Sequence, residues 1–125
     1  MSPLILESVE LAGSVGIHTV DGTLTVLPSK SLLLQNYPNP FNPETWVPYQ
    51  LAEDATVHIT LYDSAGRRVR QLAIGPQRAG VYIDRHRAAY WDGRNDAGER
   101  VGSGVYFYHL QTAHYSGVHK LVLLK

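Results

Sequence analysis

Six histidines and one short run of oxygen-bearing side chains are the residues of this 125-residue chain best equipped for chemistry. His58 lies near mid-chain, and His86, His109, His114 and His119 fall in the second half. Imidazoles bind zinc or relay protons when several converge. On a strand, residues two apart share a face, and no histidine pair has that spacing with a carboxylate beside it. They read as solvent-facing strand residues, and no metal or cofactor is expected. The stretch DGRNDAGE gathers Asp92, Asn95, Asp96 and Glu99, oxygen ligands of the kind calcium takes. Its spacing departs from the Asp-x-Asp-x-Asp-Gly-x₅-Glu arrangement, so the preferred reading is an Asx-rich hairpin loop, with a calcium site on those four residues as the alternative. GSG at Gly102–Gly104 precedes no helix and so makes no phosphate loop. No Ser–His–Asp set or pair of convergent carboxylates can be argued, and the chain is expected not to be an enzyme. Trp46, Trp91 and eight tyrosines could stack on sugars. Such aromatics more often fill cores and cross-strand pairs, so carbohydrate binding is kept as a further alternative.

Composition narrows the classes. Lys plus Arg and Asp plus Glu both number 11, giving a formal net charge of zero, which argues against a nucleic-acid partner. Hydrophobic residues make up 44% of the chain, enough for a core. The absence of cysteine removes disulfides and thiolate chemistry. No run approaches the ~20 apolar residues of a membrane span. The start, MSPLILESVELAG, lacks a basic segment and a long apolar core, so it is not read as a secretory signal. It opens in mid-pattern, as a piece of a longer chain would.

Helix periodicity is almost absent and strand signals are dense. TVHITLYD alternates Val57, Ile59 and Leu61 against His58, Thr60 and Tyr62; a turn at Ser64–Arg67 and RVRQLAI with Val69, Leu72 and Ile74 complete a hairpin. AGVYIDRHRAAYWDG reads as further strand, and the turn-forming DGRNDAGERVGSG follows. VYFYHLQT and GVHKLVLLK close the chain as two more strands, joined through AHYSG. Tyr106, Phe107 and Tyr108 in succession place aromatics on both faces, as a central strand would. These signals predict an all-β, antiparallel, Ig-like β-sandwich over residues 31–125. Residues 1–30 predict a strand-forming tail or the end of a preceding β domain: LILESVEL, then a hairpin turning at Asp21-Gly22, then a loose link from Pro28 to Ser31. With so few strands this piece should be unstable alone. Over a short stretch, VDGTLTV resembles the last hairpin of cohesin-like domains.

The segment Leu32–Leu51 carries Pro38, Pro40, Pro43 and Pro48. Proline fixes φ and lacks an N–H, and the residue before it is pushed toward extended geometry. The expectation is a stiff, extended lead-in that sets the first strand at a sheet edge, anchored by Phe41 and Trp46.

Over Ser31–Lys125 the blocks fall in a familiar order. They resemble both the C-terminal sorting domains of type IX secretion substrates and the Ig-like domain of the flagellar hook-capping protein. The YPNPFN block is Tyr37, Pro38, Asn39, Pro40, Phe41 and Asn42. A D-x-x-G-R-x-V hairpin matches Asp63, Gly66, Arg67 and Val69. The YWDG block contributes Trp91, Asp92 and Gly93, and SGVYF matches Ser103, Gly104, Val105, Tyr106 and Phe107. The basic end matches Lys120 and Lys125. The long YWDGRNDAGERVG segment departs from shorter sorting domains and agrees with hook-cap-like ones. The resemblance implies a non-catalytic module that directs export and cell-surface attachment of an upstream cargo domain. Its partners would be the outer-membrane secretion or anchoring machinery. Lys120, Lys125 and the sheet edge beside the last strand are its expected recognition elements, and a structural module of an extracellular assembly is the alternative.

Overall fold

Where apolar and polar residues alternate most strictly, a strand forms with one face wholly buried. In the computed structural model, which describes residues 15–20 and 23–125, Val57, Ile59 and Leu61 are fully buried while His58 is exposed. Eleven strands are present among the described residues. They are β1 (Val15–Val20), β2 (Thr23–Pro28), β3 (Leu32–Leu33), β4 (Thr45–Val47), β5 (Tyr49–Leu51) and β6 (Ala55–Asp63). There follow β7 (Arg68–Gln77), β8 (Gly80–Tyr82), β9 (Ala89–Trp91), β10 (Gly104–Gln111) and β11 (Ser116–Leu123). The described residues contain no helix long and apolar enough to cross a membrane.

One layer is a four-stranded antiparallel sheet in the order β11-β10-β6-β7. The other is built from β3-β5-β8 and the pair β4-β9. Pro48 stands between β4 and β5, where pairing changes from β9 to β8, because proline offers the ladder no N–H. Leu33, Val47, Tyr49, Leu51, Tyr82 and Trp91 of this layer share one core with Ile59, Leu61, Tyr108, Leu110, Leu121 and Leu123 of the large sheet. The expected Ig-like sandwich is therefore present. β10 is central, as its aromatic run predicts. Tyr49 stacks on Tyr82 with ring centroids 4.9 Å apart. Burial pushes the Tyr49 phenol up to about 12.

Two sequence readings are corrected. The DRHRA stretch is not strand: a turn at 84–88, closed by Ala88 N donating to Asp84 O at 2.7 Å, separates β8 from β9. The prolines do not hold an extended lead-in either. The peptide bonds before Pro38, Pro40 and Pro43 are cis, and the segment folds into bends against the sandwich. β3 does lie at a sheet edge.

β1 and β2 pair antiparallel from Val15↔Pro28 to Val20↔Thr23, and β2 runs beside β8. The link is tied rather than loose, since Lys30 O accepts from the Gln50 side chain at 2.9 Å and Ser31 Oγ from Ala52 N at 3.0 Å. The expected strand at 4–11 and the turn at 21–22 lie outside the described residues.

Candidate functional site

A four-stranded sheet leaves two strand edges whose unpaired N–H and C=O groups would attract another strand. In this molecule a motif segment closes part of each edge. Along β11 the closure is the proline block. Phe41 N donates to Val122 O at 2.9 Å, and Leu124 N to Phe41 O at 3.1 Å. Val122 N donates to Asn39 Oδ1 at 2.9 Å, and the Gln35 amide donates to Lys120 O at 2.9 Å. The Phe41 ring is buried, 5.4 Å from Trp91 between centroids. Trp91 in turn meets Tyr106 edge-on at 5.9 Å.

Beneath this seal is a polar knot that gives the folded lead-in its shape. Asn36, only 2% exposed, donates from its side chain to Thr45 Oγ1 at 2.9 Å and to Pro38 O at 3.2 Å. Its backbone N–H donates to the buried Tyr108 hydroxyl at 2.8 Å, and that hydroxyl donates to Leu34 O at 2.7 Å. Burial raises the Tyr108 pKa, with the Asn36 N–H bond as a smaller opposing effect. Trp46 stacks on Tyr37 with centroids 6.3 Å apart, and the Tyr37 hydroxyl donates to Ile83 O. Phe41 and Trp46 thus both anchor the lead-in. Asn36 and Tyr108 carry as much of the geometry, and no local sequence signal marks them, because their partners are 9 and 72 residues away.

At the opposite edge, β7 is met by the Asx-rich loop. Asp96 N donates to Val69 O at 2.9 Å, and Gln71 N donates to Asp96 Oδ1 at 3.0 Å. Arg68 pairs with Asp96 at 3.3 Å, and Arg70 with Asp92 at 3.1 Å. Arg70 also donates to Arg94 O at 3.1 Å, and the Trp91 indole donates to the same oxygen at 2.9 Å. Asn95 Oδ1 accepts from Ala97 N and Glu99 N, and the Asn95 amide donates to Glu99 Oε1 at 3.3 Å. The oxygens of Asp92, Asn95, Asp96 and Glu99 are thus turned toward protein donors on two sides rather than toward one point. Among the described residues no three His, Asp or Glu side chains are grouped to hold a metal ion. Nor is the loop a simple hairpin connection: it leads from β9, which pairs with β4, to β10 in the other layer, with Arg94 and Arg100 bridged inside it.

The two seals meet at Gly93. Its φ is +77°, and a Cβ there would stand 2.5 Å from Pro43 O, so the loop can lie this close to the proline block only without a side chain. The remaining motif residues are local fasteners. Asp63 accepts from Ala65 N, Arg67 N and the Arg67 guanidinium, Gly66 takes φ +85°, and these bonds, led by the Arg67 N–H, lower the Asp63 pKa. Ser103 Oγ accepts from Lys125 N at 3.0 Å, just ahead of Gly104 and the half-exposed Val105.

The recognition elements expected from the sequence are only partly available. Lys120 and Lys125 are exposed, and Leu121 and Leu123 face the core while Leu124 is exposed. The edge beside them is not free, because the proline block occupies it. His119 is not solvent-facing: it stacks on Tyr108 at 5.8 Å and bonds Leu33 O. His86 lies in the turn rather than on a strand, while His58 and His114 are exposed. Trp91 is core; Trp46 has Tyr90 on one side and the Arg85 guanidinium 4.3 Å over its ring.

Known proteins of similar sequence or fold are found. The sequence model of the FlgD Ig-like domain family matches residues 43–115, more than half of the chain. Among solved structures, dimeric latent PorU from Porphyromonas gingivalis is similar at a TM-score of 0.56 and 19% identity, over 75% of this chain and 9% of that one. PorZ of the same organism, described as an essential bacterial surface component of the type-IX secretion system, gives 0.50 and 18%, over 90% of this chain and 16% of that one. FlgD from P. aeruginosa gives 0.45 and 26%, over 58% and 54%. No curated protein matches the chain.

Proposed function

The chain belongs to the FlgD Ig-like domain family, and from that premise we propose that it is a non-catalytic sorting module. In this reading it takes an upstream cargo domain through the secretion or anchoring machinery of the outer membrane to the cell surface. Residues 31–125 are the module, and residues 1–30 are a tail or the end of a preceding β domain. The observation that supports this most directly is the bonding of the block that opens the module, Asn39 and Phe41, to the strand that ends it, Val122 and Leu124. A module whose beginning is fastened to its own end folds the same way behind any cargo. It presents Lys120 on an already finished strand and Lys125 just past that strand's end, where a receptor can read them. Because β11's edge is covered, recognition through side chains fits better than strand addition.

The test is a secreted reporter fused ahead of residues 1–125 in a type IX-competent host. Surface delivery is expected with the module and periplasmic retention after deletion of residues 31–125. Equal delivery without the module would return the chain to a second reading, an Ig-like structural unit of an extracellular assembly. That reading is favoured by the long loop between Trp91 and Val101, which lies wholly inside the family match.

A further inference from the structure

Neither seal covers the outer face of the four-stranded sheet. The alternation that buries Tyr106, Tyr108 and Leu110 turns Val105 and Phe107 outward. Strand register places Lys120, Phe107, Tyr62 and Arg68 in one row across all four strands. Val118 at 59% exposure and Val105 at 38% flank that row, and Phe107 and Tyr62 are half-covered. The chain has as many acidic as basic residues, yet no strand residue on this face carries a carboxylate. Asp96 stands at the β7 margin and is already paired with Arg68. Lys120 is in no ion pair among the described residues.

We propose that this face docks an acidic protein surface of the export machinery, with Phe107 and Tyr62 at the centre of the contact and Lys120 as its cation. The proposal rests on the sorting reading above and names the surface that reading requires. An aromatic centre between Lys120 and Arg68 matches the aromatic and arginine anchors on which protein interfaces concentrate their binding energy. The neighbouring valines add shape-filling apolar area suited to another protein, whereas sugars call for open aromatic planes. Four strands about 4.8 Å apart make a face only about 14 Å wide, within the range of transient encounters. A cation with no carboxylate beside it, here Lys120, speeds such encounters with an acidic partner.

The experiment uses the same reporter fusion, with the variants Lys120→Glu, Lys120→Arg and Lys120→Glu combined with Val118→Asp. Each purified chain is checked for an unchanged melting transition; should Val118→Asp unfold the chain, Lys120→Glu alone carries the test. Periplasmic accumulation and a roughly tenfold loss of surface reporter are expected for Lys120→Glu, the size of one interface hot spot, with delivery kept by Lys120→Arg. Normal delivery of folded Lys120→Glu/Val118→Asp, beside a wild type that is delivered, overturns the docking face and leaves the sorting reading intact. A wild type that is not delivered overturns both. Variant reporter that leaves the cell but is shed into the medium would place attachment to a surface glycan on this face and exclude the export contact. Sedimentation of the purified chain is expected to show monomer. A dimer abolished by Lys120→Glu/Val118→Asp would assign the face to a second copy instead.

Discussion

The two edges of the large sheet are closed by opposite means. At β11 the closing segment is part of the core, with Phe41 2% exposed and the Asn36–Tyr108 bonds out of water. At β7 the closing segment lies on the surface, and its Arg68–Asp96 pair joins side chains that are 58% and 42% exposed. Buried apolar contacts and satisfied buried hydrogen bonds cannot be exchanged for water without loss, whereas an exposed ion pair competes with solvent and salt. The β11 seal is therefore integral to the fold, and the β7 seal is a strap that can loosen while the sandwich remains.

Truncating the buried seal tests that contrast most severely. Phe41→Ala is expected to cost about 3–5 kcal/mol, as other buried phenylalanines do. Urea unfolding would measure it, and a loss no larger than that of a surface substitution would make the proline block a bystander. The seam between the seals comes next. Gly93→Ala combines φ +77° with the clash at Pro43 O, and a cost of about 1–3 kcal/mol or more is expected. Gly98→Ala in the same loop has φ +84° but open space around it, so its cost should stay near about 1 kcal/mol. Thermal melts of the two variants, compared directly, separate close approach from backbone conformation.

Alkaline titration probes the buried seal and the core beneath it. Tyr108 beneath the β11 seal and Tyr49 in the core both have raised folded-state pKa values, Tyr49 at about 12. The folded state therefore holds these protons when the unfolded chain has begun to release them. Their contribution is complete below pH 10, the unfolded value, and is lost as pH rises from there toward and through the folded values. Stability should fall above pH 10 with a slope of up to about 1.4 kcal/mol per pH unit for each tyrosine. Tyr108→Phe should make that fall shallower, and urea midpoints taken on either side of the transition would detect it. The smallest effect belongs to the exposed strap: Asp96→Ala should cost about 1 kcal/mol or less, and less again at high salt. Faster hydrogen exchange at the Gln71 amide, without change at Val122, would show one edge opening alone.

What the sequence determined by itself is set by near neighbours. Alternation over Thr56–Tyr62 is enough to choose strand and face, because a side chain's direction on a strand depends only on parity. The Asp63–Arg67 turn was legible for the same reason, as its bonds span four residues or fewer. The sandwich class followed from many such short signals, and the motif blocks pointed to a family that the comparison bears out. Tertiary structure decided what those blocks do. Four prolines can read as a rod or as a wedge, and Tyr108, far along the chain, holds the backbone in the second form. Asp92 and Asp96 can read as calcium ligands until Arg68 and Arg70 from another strand claim them. The last strand promised an open edge until Asn39 and Phe41 returned to cover it. Each of these outcomes rests on a partner from 22 to 83 residues away, a distance over which only the finished packing determines which polar groups meet.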